Sequence, residues 1–256
     1  RNQTKLQRTK RKILIMAGIA APNTVKDGLI FYTDAMNLRT WSGPDSSTVN
    51  SLVGSVTGSI FNDTSGSFGN RNSFNFDGTD DRITTNITGN ALLGSNNPYT
   101  FSAWIKPSNP GSSATQAIFG GYSHWSNFHF FGFFVKNGYA GYYYSGGGGL
   151  WGPKWDTAAD TPVTQDVWQN ITYTWTGTTD QTRKIYINNV LKKTQTESGG
   201  GSIVNAVLMN IGSFRYMTQN NSHFQGDIGP IQLFNRALST QELTQNYNAL
   251  KGRFGL

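Results

Sequence analysis

The chain has 256 residues, of which 14% are charged, with 30 Gly, sixteen Phe, eleven Tyr, seven Trp and no Cys. The lack of cysteine excludes a disulfide framework and thiolate metal sites, and no apolar window reaches the roughly 18 residues of a membrane span. The formal charge of +7 arises from a tail, because Arg1, Lys5, Arg8, Lys10, Arg11 and Lys12 precede any acid while the chain from Met16 onward carries 15 basic and 14 acidic residues; the folded part therefore lacks the basic footprint of a nucleic-acid binder.

Residues 1–15 form this basic tail and 16–26 a connector arm. Three readings of the tail stay open. Met16 is the true start and the tail lies upstream of it; Ile13–Ala21 is the apolar core of a signal peptide cleaved near Ala20 or Ala21; or the tail is a basic arm that meets an acidic surface. From residue 27 to 256 no charge run or composition shift divides the chain, which predicts one domain.

Asp27-Gly-Leu-Ile-Phe-Tyr-Thr-Asp34 is the first predicted strand. Residues 37–73 read as loop, with apolar islands at Leu52-Val53 and Ile60-Phe61. Phe74-Asn-Phe-Asp-Gly78 and Arg82-Ile-Thr-Thr-Asn86 read as a strand pair around Gly78-Thr-Asp-Asp81. Tyr99 to Lys106 alternates Tyr99, Phe101 and Ala103 against Thr100, Ser102 and Trp104, predicting a strand with one dominant buried face. Further strands are expected over 117–122, 128–135 and 140–144. A Gly-rich loop with Trp151 and Trp155 follows. Ile171, Tyr173 and Trp175 alternate in the next strand, and Arg183 to Thr194 reads as a hairpin turning at Asn188-Asn189, a pair that tolerates positive φ. Twelve to fourteen strands are expected in all.

The chain closes on Phe224-Gln-Gly-Asp-Ile-Gly-Pro-Ile-Gln-Leu-Phe-Asn-Arg-Ala-Leu-Ser-Thr-Gln-Glu-Leu243. Its first half is a strand in which Pro230, lacking an N–H, marks an edge or a bulge. Ser239 and Glu242 have capping-box spacing. Leu243, Tyr247 and Leu250 then recur at helical spacing, and Gly252 stands where a helix stops.

Several of these stretches resemble the concanavalin A-like lectin/glucanase superfamily, in its laminin-G-like branch. The closing segment is similar to that family's C-terminal signature, with Asn235-Arg-Ala-Leu-Ser239 and Glu242 in place. Phe74-Asn-Phe-Asp-Gly-Thr-Asp-Asp-Arg-Ile83 resembles its Leu-x-Phe-Asp-Gly-x-Asp-Asp-Tyr-Val. Tyr99-Thr-Phe-Ser-Ala-Trp-Ile-Lys-Pro107, Trp168-Gln-Asn-Ile-Thr-Tyr-Thr-Trp175 and Ile185-Tyr-Ile-Asn-Asn-Val-Leu191 match further blocks in the same order. The resemblance covers residues 27 to 250 and implies an all-β, concanavalin A-like jelly-roll sandwich of two antiparallel sheets with one short C-terminal helix. Gly229-Pro230 stands where cellular members carry Asp-Glu. With the opening Asp27-Gly-Leu-Ile-Phe-Tyr-Thr-Asp-Ala-Met-Asn37, this variant resembles virion proteins of tailed bacteriophages.

That resemblance implies a non-enzymatic virion protein: head decoration, capsid fibre or tail-associated. Other capsid or tail proteins and host-surface glycans would be its partners, as a homo-oligomer or bound in an assembly. A secreted bacterial carbohydrate-binding module is the alternative, and a glucanase-like hydrolase the third reading. Hydrolysis needs two facing carboxylates. The two glutamates are Glu242, taken by the helix cap, and Glu197, in a Gly-rich turn; Asp80 and Asp81 are adjacent and would face opposite ways in a strand. For glycans, Tyr122, Trp125, Trp151 and Trp155 lie in or beside loops, where rings stack on sugars or, equally, pack a subunit contact. For a metal, Asp77, Asp80 and Asp81 fall within five residues. Oxygen donors suit a structural calcium ion, which the family sometimes holds on acidic loops. The other reading is a turn built on Asx hydrogen bonds and a positive-φ Gly78.

Overall fold

The computed structural model describes residues 23–61, 73–93, 97–123, 129–144, 154–155, 160–177, 180–196, 208–214 and 222–256. Residues 27–238 form one compact unit. Its strands are β1 (Leu29–Thr33), β2 (Thr48–Asn50), β3 (Thr57–Phe61), β4 (Phe74–Asp77), β5 (Arg82–Thr88), β6 (Tyr99–Pro107), β7 (Gln116–Ser123), β8 (His129–Lys136), β9 (Tyr139–Tyr144), β10 (Lys154–Trp155), β11 (Gln169–Trp175), β12 (Thr182–Ile187), β13 (Val190–Thr196), β14 (Leu208–Ile211) and β15 (Gln225–Phe234). A five-residue helix α1 (Gly89–Leu93), absent from the sequence expectation, follows β5.

The strands make two antiparallel sheets. One runs β1-β15-β6-β11-β12-β13, with β4 also paired to β15; the other runs β10-β9-β8-β7-β14-β5-β3-β2. This is the two-sheet jelly-roll arrangement expected of the chain. The fifteen strands among the described residues exceed the expected count because β2 and β3 fall in the stretch read as loop. Their Ser, Thr and Gly content hides a half-exposed edge, in which Val49 is buried between exposed neighbours.

The core between the sheets is aromatic. Phe101 of β6 lies against Phe133 of β8 (ring centroids 4.1 Å apart, planes 11°) and Phe119 of β7 (5.5 Å, 13°). Phe31 of β1 continues the stack onto Phe119 at 5.7 Å, and Tyr173 of β11 onto Phe133 at 4.6 Å. Each contact joins one sheet to the other, so large rings at alternate positions of β6, β8 and β11 set the spacing between layers.

Two expectations are corrected by burial. β6 is covered on both faces, not one: Thr100, Ser102 and Trp104 are buried as well as Tyr99, Phe101 and Ala103. β11 is buried throughout. Their second face stays polar because its groups satisfy one another. Asn170 Nδ2 donates to Ser102 Oγ (3.0 Å), Thr172 Oγ1 pairs with Ser102 Oγ (3.0 Å) and with Asn170 Oδ1 (3.0 Å), as buried polar groups require. Thr100 Oγ1 donates to the Arg236 carbonyl and accepts from Leu238 N, binding the turn after β15.

Pro230 sits at a bulge and not at an edge. β15 pairs with β4 over Gln225–Ile228 and with β1 over Ile231–Phe234, and its register against β6 shifts between Ile228 and Ile231. Gly229-Pro230 spans the hand-over between those partners, the one place in a central strand where a missing N–H leaves the ladder intact. The hairpin between β12 and β13 turns at Asn188 (φ 50°) and Asn189 (φ 63°) as expected.

Asn23–Lys26 and Ser239–Leu256 belong to a second compact unit. Helix α2 (Thr240–Leu250) starts with a complete capping box: Ser239 Oγ accepts from Glu242 N (3.3 Å) and Glu242 Oε2 accepts from Ser239 N (2.8 Å). Val25 N donates to Asn246 Oδ1 (2.7 Å) and Gln245 Nε2 to the Asn23 carbonyl (2.7 Å), tying the end of the connector arm to this helix. The helix does not stop at Gly252. It tightens into a 3₁₀ turn over Lys251–Phe254 and ends at Gly255, whose φ of 76° is left-handed. No helix among the described residues is long and apolar enough to cross a membrane.

Candidate functional site

The turn from β4 to β5 follows from four side chains. Asp77 Oδ1 accepts from Thr79 N (2.7 Å) and Asp80 N (3.3 Å), an Asx turn. Gly78, at φ 85°, supplies the left-handed residue. Asp81 Oδ2 reaches back to accept from Asp77 N (2.9 Å), closing the loop. Asp80 and Asp81, expected on opposite faces of a strand, lie in the turn instead, and its curvature brings carboxylate oxygens of Asp77, Asp80 and Asp81 within 4.8 Å of one another.

Asp81 is only 4% exposed. Burial raises its carboxyl from 3.8 to about 6. The Asp77 N–H works against that shift, and the charges of Asp77 and Asp80 add to it. Among the described residues, Asp81 Oδ1 and Asp80 Oδ1 are both buried atoms without a hydrogen-bond partner. His223, in the stretch before β15, places Nδ1 3.5 Å from the Asp81 carbonyl; burial lowers its pKa, which the Asp81 carbonyl partly offsets. Arg82 donates to the Asp80 carbonyl (3.3 Å) and lies 4.3 Å over the Phe61 ring.

A polar cleft opens beside this turn on the face of the β4–β15–β6 sheet. Its volume is about 260 Å³, and Asn75, Asp77, Lys106, Ser108, Asp166, Gln225 and Asp227 line it over a floor of Phe76 and Gly226. Register explains the grouping. Asp227 of β15 lies opposite Asn75 of β4 and Lys106 of β6, and Gln225 lies opposite Asp77. Directly opposed residues share a face, so two rungs of polar side chains converge across three strands. Asp227 Oδ1 accepts from Ser73 Oγ (3.0 Å) and Asn75 Nδ2 (3.1 Å), which fixes its carboxylate.

The rim is held by backbone. Ser108 N donates to the Gln225 carbonyl (3.0 Å) and Asp166 N to the Pro107 carbonyl (2.8 Å). Buried Gln116 bridges β7 to this corner, donating to the Asn109 carbonyl and accepting from Gln225 N. Gly226 permits the close approach of β15 to β6, because a Cβ there would lie 2.3 Å from the Lys106 carbonyl oxygen.

The other expected residues fall elsewhere. Trp125 and Trp151 lie outside the described residues. Tyr122 and Trp155 are placed only as backbone positions of β7 and β10. Tyr122 pairs with Phe130, Phe131 with Tyr144, and Trp155 with Tyr143. Trp155 lies, through Tyr143 and Gly132, on the rung of Gly120, two residues from Tyr122, so three strand spacings of about 4.8 Å and about 6.8 Å along the strand put the two positions about 16 Å apart. They sit at the end of β7 opposite to Gln116, and so opposite to the cleft. The Asn75, Lys106, Asp166, Gln225 and Asp227 group was not foreseen. The alternations Phe74-Asn-Phe-Asp and Gln225-Gly-Asp-Ile do mark outward polar positions, but no local signal pairs β4 with β15, about 150 residues apart in sequence.

Two sheets around an aromatic core, with a polar cleft on one outer face, define a lectin-like β-sandwich. The chain belongs to the concanavalin A-like lectin/glucanase superfamily, whose family model matches residues 77–244. No curated protein is similar to it in sequence. Among solved structures, the chain is similar to the botulinum neurotoxin serotype D binding domain (TM-score 0.61, 16% identity, 89% of this chain and 51% of that one). It is also similar to domain 4 of AbnA, an extracellular arabinanase from Geobacillus stearothermophilus solved with arabinotriose (0.56, 17%, 88% and 100%). A third is the Trypanosoma rangeli sialidase in complex with sialic acid (0.60, 13%, 88% and 33%). The chain spans about half the length of the toxin domain. At these identities the likeness is one of fold.

Proposed function

We propose that this chain is a non-catalytic glycan-binding module, carried on a tailed-phage virion as a head-decoration, capsid-fibre or tail-associated protein. The observation that carries the glycan reading is the cleft. Asp77, Asp166 and Asp227 accept hydrogen bonds from hydroxyls, Asn75 and Gln225 both donate and accept, and Lys106 donates. Its volume of about 260 Å³ lies just below the roughly 300–1,000 Å³ of drug-sized pockets, in keeping with one sugar ring. The arabinanase domain, matched over its full length and solved with a trisaccharide, supports the same reading. The toxin binding domain supports a binding role more generally.

Two of the carboxylates weighed for hydrolysis are otherwise engaged. Glu242 is held in the helix cap, and Asp81 is buried with one oxygen engaged by Asp77 N, out of reach of a scissile bond. Glycosidase activity lost on Asp80→Asn or Asp81→Asn would overturn this part of the proposal.

The aromatic set Tyr122, Trp125, Trp151 and Trp155 forms a second candidate surface. It is favoured by the described strand ends: the end of β7, the start of β8 and the end of β9 lie at one end of the same sheet. Glycan-array binding unchanged in the Trp151→Ala/Trp155→Ala double variant would remove it. The virion assignment rests on the Gly229-Pro230 variant of the closing strand and on the opening strand. Mass spectrometry of purified particles tests it: the chain is expected among the virion proteins, and its absence refutes the assignment. Export with cleavage near Ala20 or Ala21 would favour a secreted bacterial carbohydrate-binding module instead.

A further inference from the structure

We infer that Val167 and Trp168 form an apolar platform at the rim of the cleft, on which the second sugar of a chain stacks while the first sits in the cleft, so that the site takes di- and oligosaccharides in preference to monosaccharides. The inference rests on the glycan reading of the cleft and adds to it the class of ligand.

Placement comes from register. Asp166 lines the cleft, and its N–H donates to the Pro107 carbonyl (2.8 Å). Gln169, three residues on, pairs with Ile105. The chain from Asp166 to Trp168 therefore runs beside Lys106, which also lines the cleft. Asn170 belongs to the outer polar face of the sheet through its bond to Ser102. Side chains two residues apart in extended chain point the same way, so Trp168 shares that outer face, no more than about 7 Å of chain from Asp166. Val167 is 44% exposed and Trp168 is half-buried. Among the described side chains, the other tryptophans, Trp41, Trp104 and Trp175, are each 1% exposed.

Two features show that the segment is more than a connection. Asp166 holds φ at 56°, a left-handed conformation that side chains rarely adopt and that gathers at ligand sites. Gln169, only 4% exposed, spends its amide on the same turn. It accepts from Thr164 N (3.1 Å) and donates to the carbonyls of Thr164 (2.9 Å) and Val167 (3.3 Å). The turn is thus braced from below, and little ordering is left to be done on binding. The chemistry then divides between the two surfaces. A sugar ring carries hydroxyls around its edge and C–H groups on its face. The hydroxyls suit the carboxylates and amides of the cleft, and the C–H face suits an indole and a valine. The cleft of about 260 Å³ holds one ring, and the next ring of a chain lies on the platform. Polar groups that fix orientation beside apolar groups that supply area are the usual make-up of a ligand site.

The test is calorimetric titration of the full chain with matched sugars: glucose and cellobiose, galactose and lactose, N-acetylglucosamine and N,N′-diacetylchitobiose, arabinose and arabinobiose, and the strongest glycan-array ligand with its terminal monosaccharide. For the pairs that bind, the longer sugar is expected to bind at least about tenfold more tightly than the shorter. Trp168→Ala is expected to weaken the longer sugar about tenfold and to leave the monosaccharide within about twofold, while Trp168→Phe restores most of the affinity. If Trp168→Ala fails to fold, Val167→Ser, at an exposed position, is read in its place and is expected to narrow the gap between the two sugars. Equal affinity for the two members of a pair overturns the inference and leaves the glycan reading standing. So does an unchanged gap in the variants, or a parallel loss of both sugars in Trp168→Ala, which would mark a structural role. Absence of binding by every sugar overturns the glycan reading and the platform with it.

Discussion

Gly226 and Gly43 make a matched pair for separating backbone strain from steric overlap. Their φ angles are +128° and +126°, a region in which an L-residue is strained by about 1–3 kcal/mol. Alanine regains about 0.4–1 kcal/mol at either position by restricting the unfolded chain. There the likeness ends. A Cβ at Gly43 meets nothing within 4 Å, whereas one at Gly226 falls 2.3 Å from the Lys106 carbonyl oxygen and 2.9 Å from both Pro107 Cα and Ser108 N. Those are backbone atoms that no rotamer change can move, so β15 and β6 must part at the cleft floor, a distortion of about 1–3 kcal/mol by the measure of overpacked interiors. Gly43→Ala should therefore lose about 0–2.5 kcal/mol, and Gly226→Ala about 1–3 kcal/mol more. At about 2–4 °C per kcal/mol for a domain of this size, Gly226→Ala is expected to melt about 2–12 °C below Gly43→Ala by scanning calorimetry. Equal melting temperatures, or a lower one for Gly43→Ala, would refute the reasoning and with it the packing assigned to the cleft floor.

Two further predictions concern the turn and the helix. In EDTA, Asp81 with a folded-state pKa near 6 against 3.8 in the unfolded chain binds its proton more tightly when folded, so its contribution to stability is greatest below about pH 4 and is lost as pH rises to about 6. That loss is of the order of 1–3 kcal/mol. Relative to Asp81→Asn, the wild-type chain should thus lose stability between pH 4 and pH 7 in urea titrations, while the opposing titration of His223 largely cancels in the comparison. A pH-independent difference between the two would refute the assignment of burial as the cause. Ser239→Ala removes the side-chain half of the capping box and is expected to destabilise helix α2 by about 0.5–2 kcal/mol; hydrogen exchange at Glu242 N should rise, and unchanged protection there would contradict the cap.

What was legible in the sequence was whatever rests on local chemistry. The capping box, the Asn188-Asn189 hairpin and the Asx turn at Asp77 each depend on side chains within a few residues, and the fold class followed from blocks of motif in order. The double burial of β6 and β11 was not legible. Thr100, Ser102, Asn170 and Thr172 read as solvent-facing until the sheet partners that satisfy them are known. Pro230 was half legible: its missing N–H announces an irregularity, but only the hand-over from β4 to β1 explains why a central strand accepts it. The cleft was hidden for the same reason, since Asn75, Lys106 and Asp227 come from three strands joined only by register. Adjacent Asp80 and Asp81 misled because strand parity was applied to residues that lie in a turn.

The central claim, that the cleft binds sugar, is tested most directly by titrating the strongest glycan-array ligand into the wild-type chain and into Asp227→Ala by calorimetry. The Asp227 carboxylate is held by Ser73 and Asn75 and not by the aromatic core, and its loss removes a charged acceptor worth about 1.5–3 kcal/mol. The account predicts that Asp227→Ala keeps its melting temperature within a few degrees and weakens binding at least about tenfold. Undiminished affinity in Asp227→Ala would contradict it and move the binding site away from the β4–β15–β6 face.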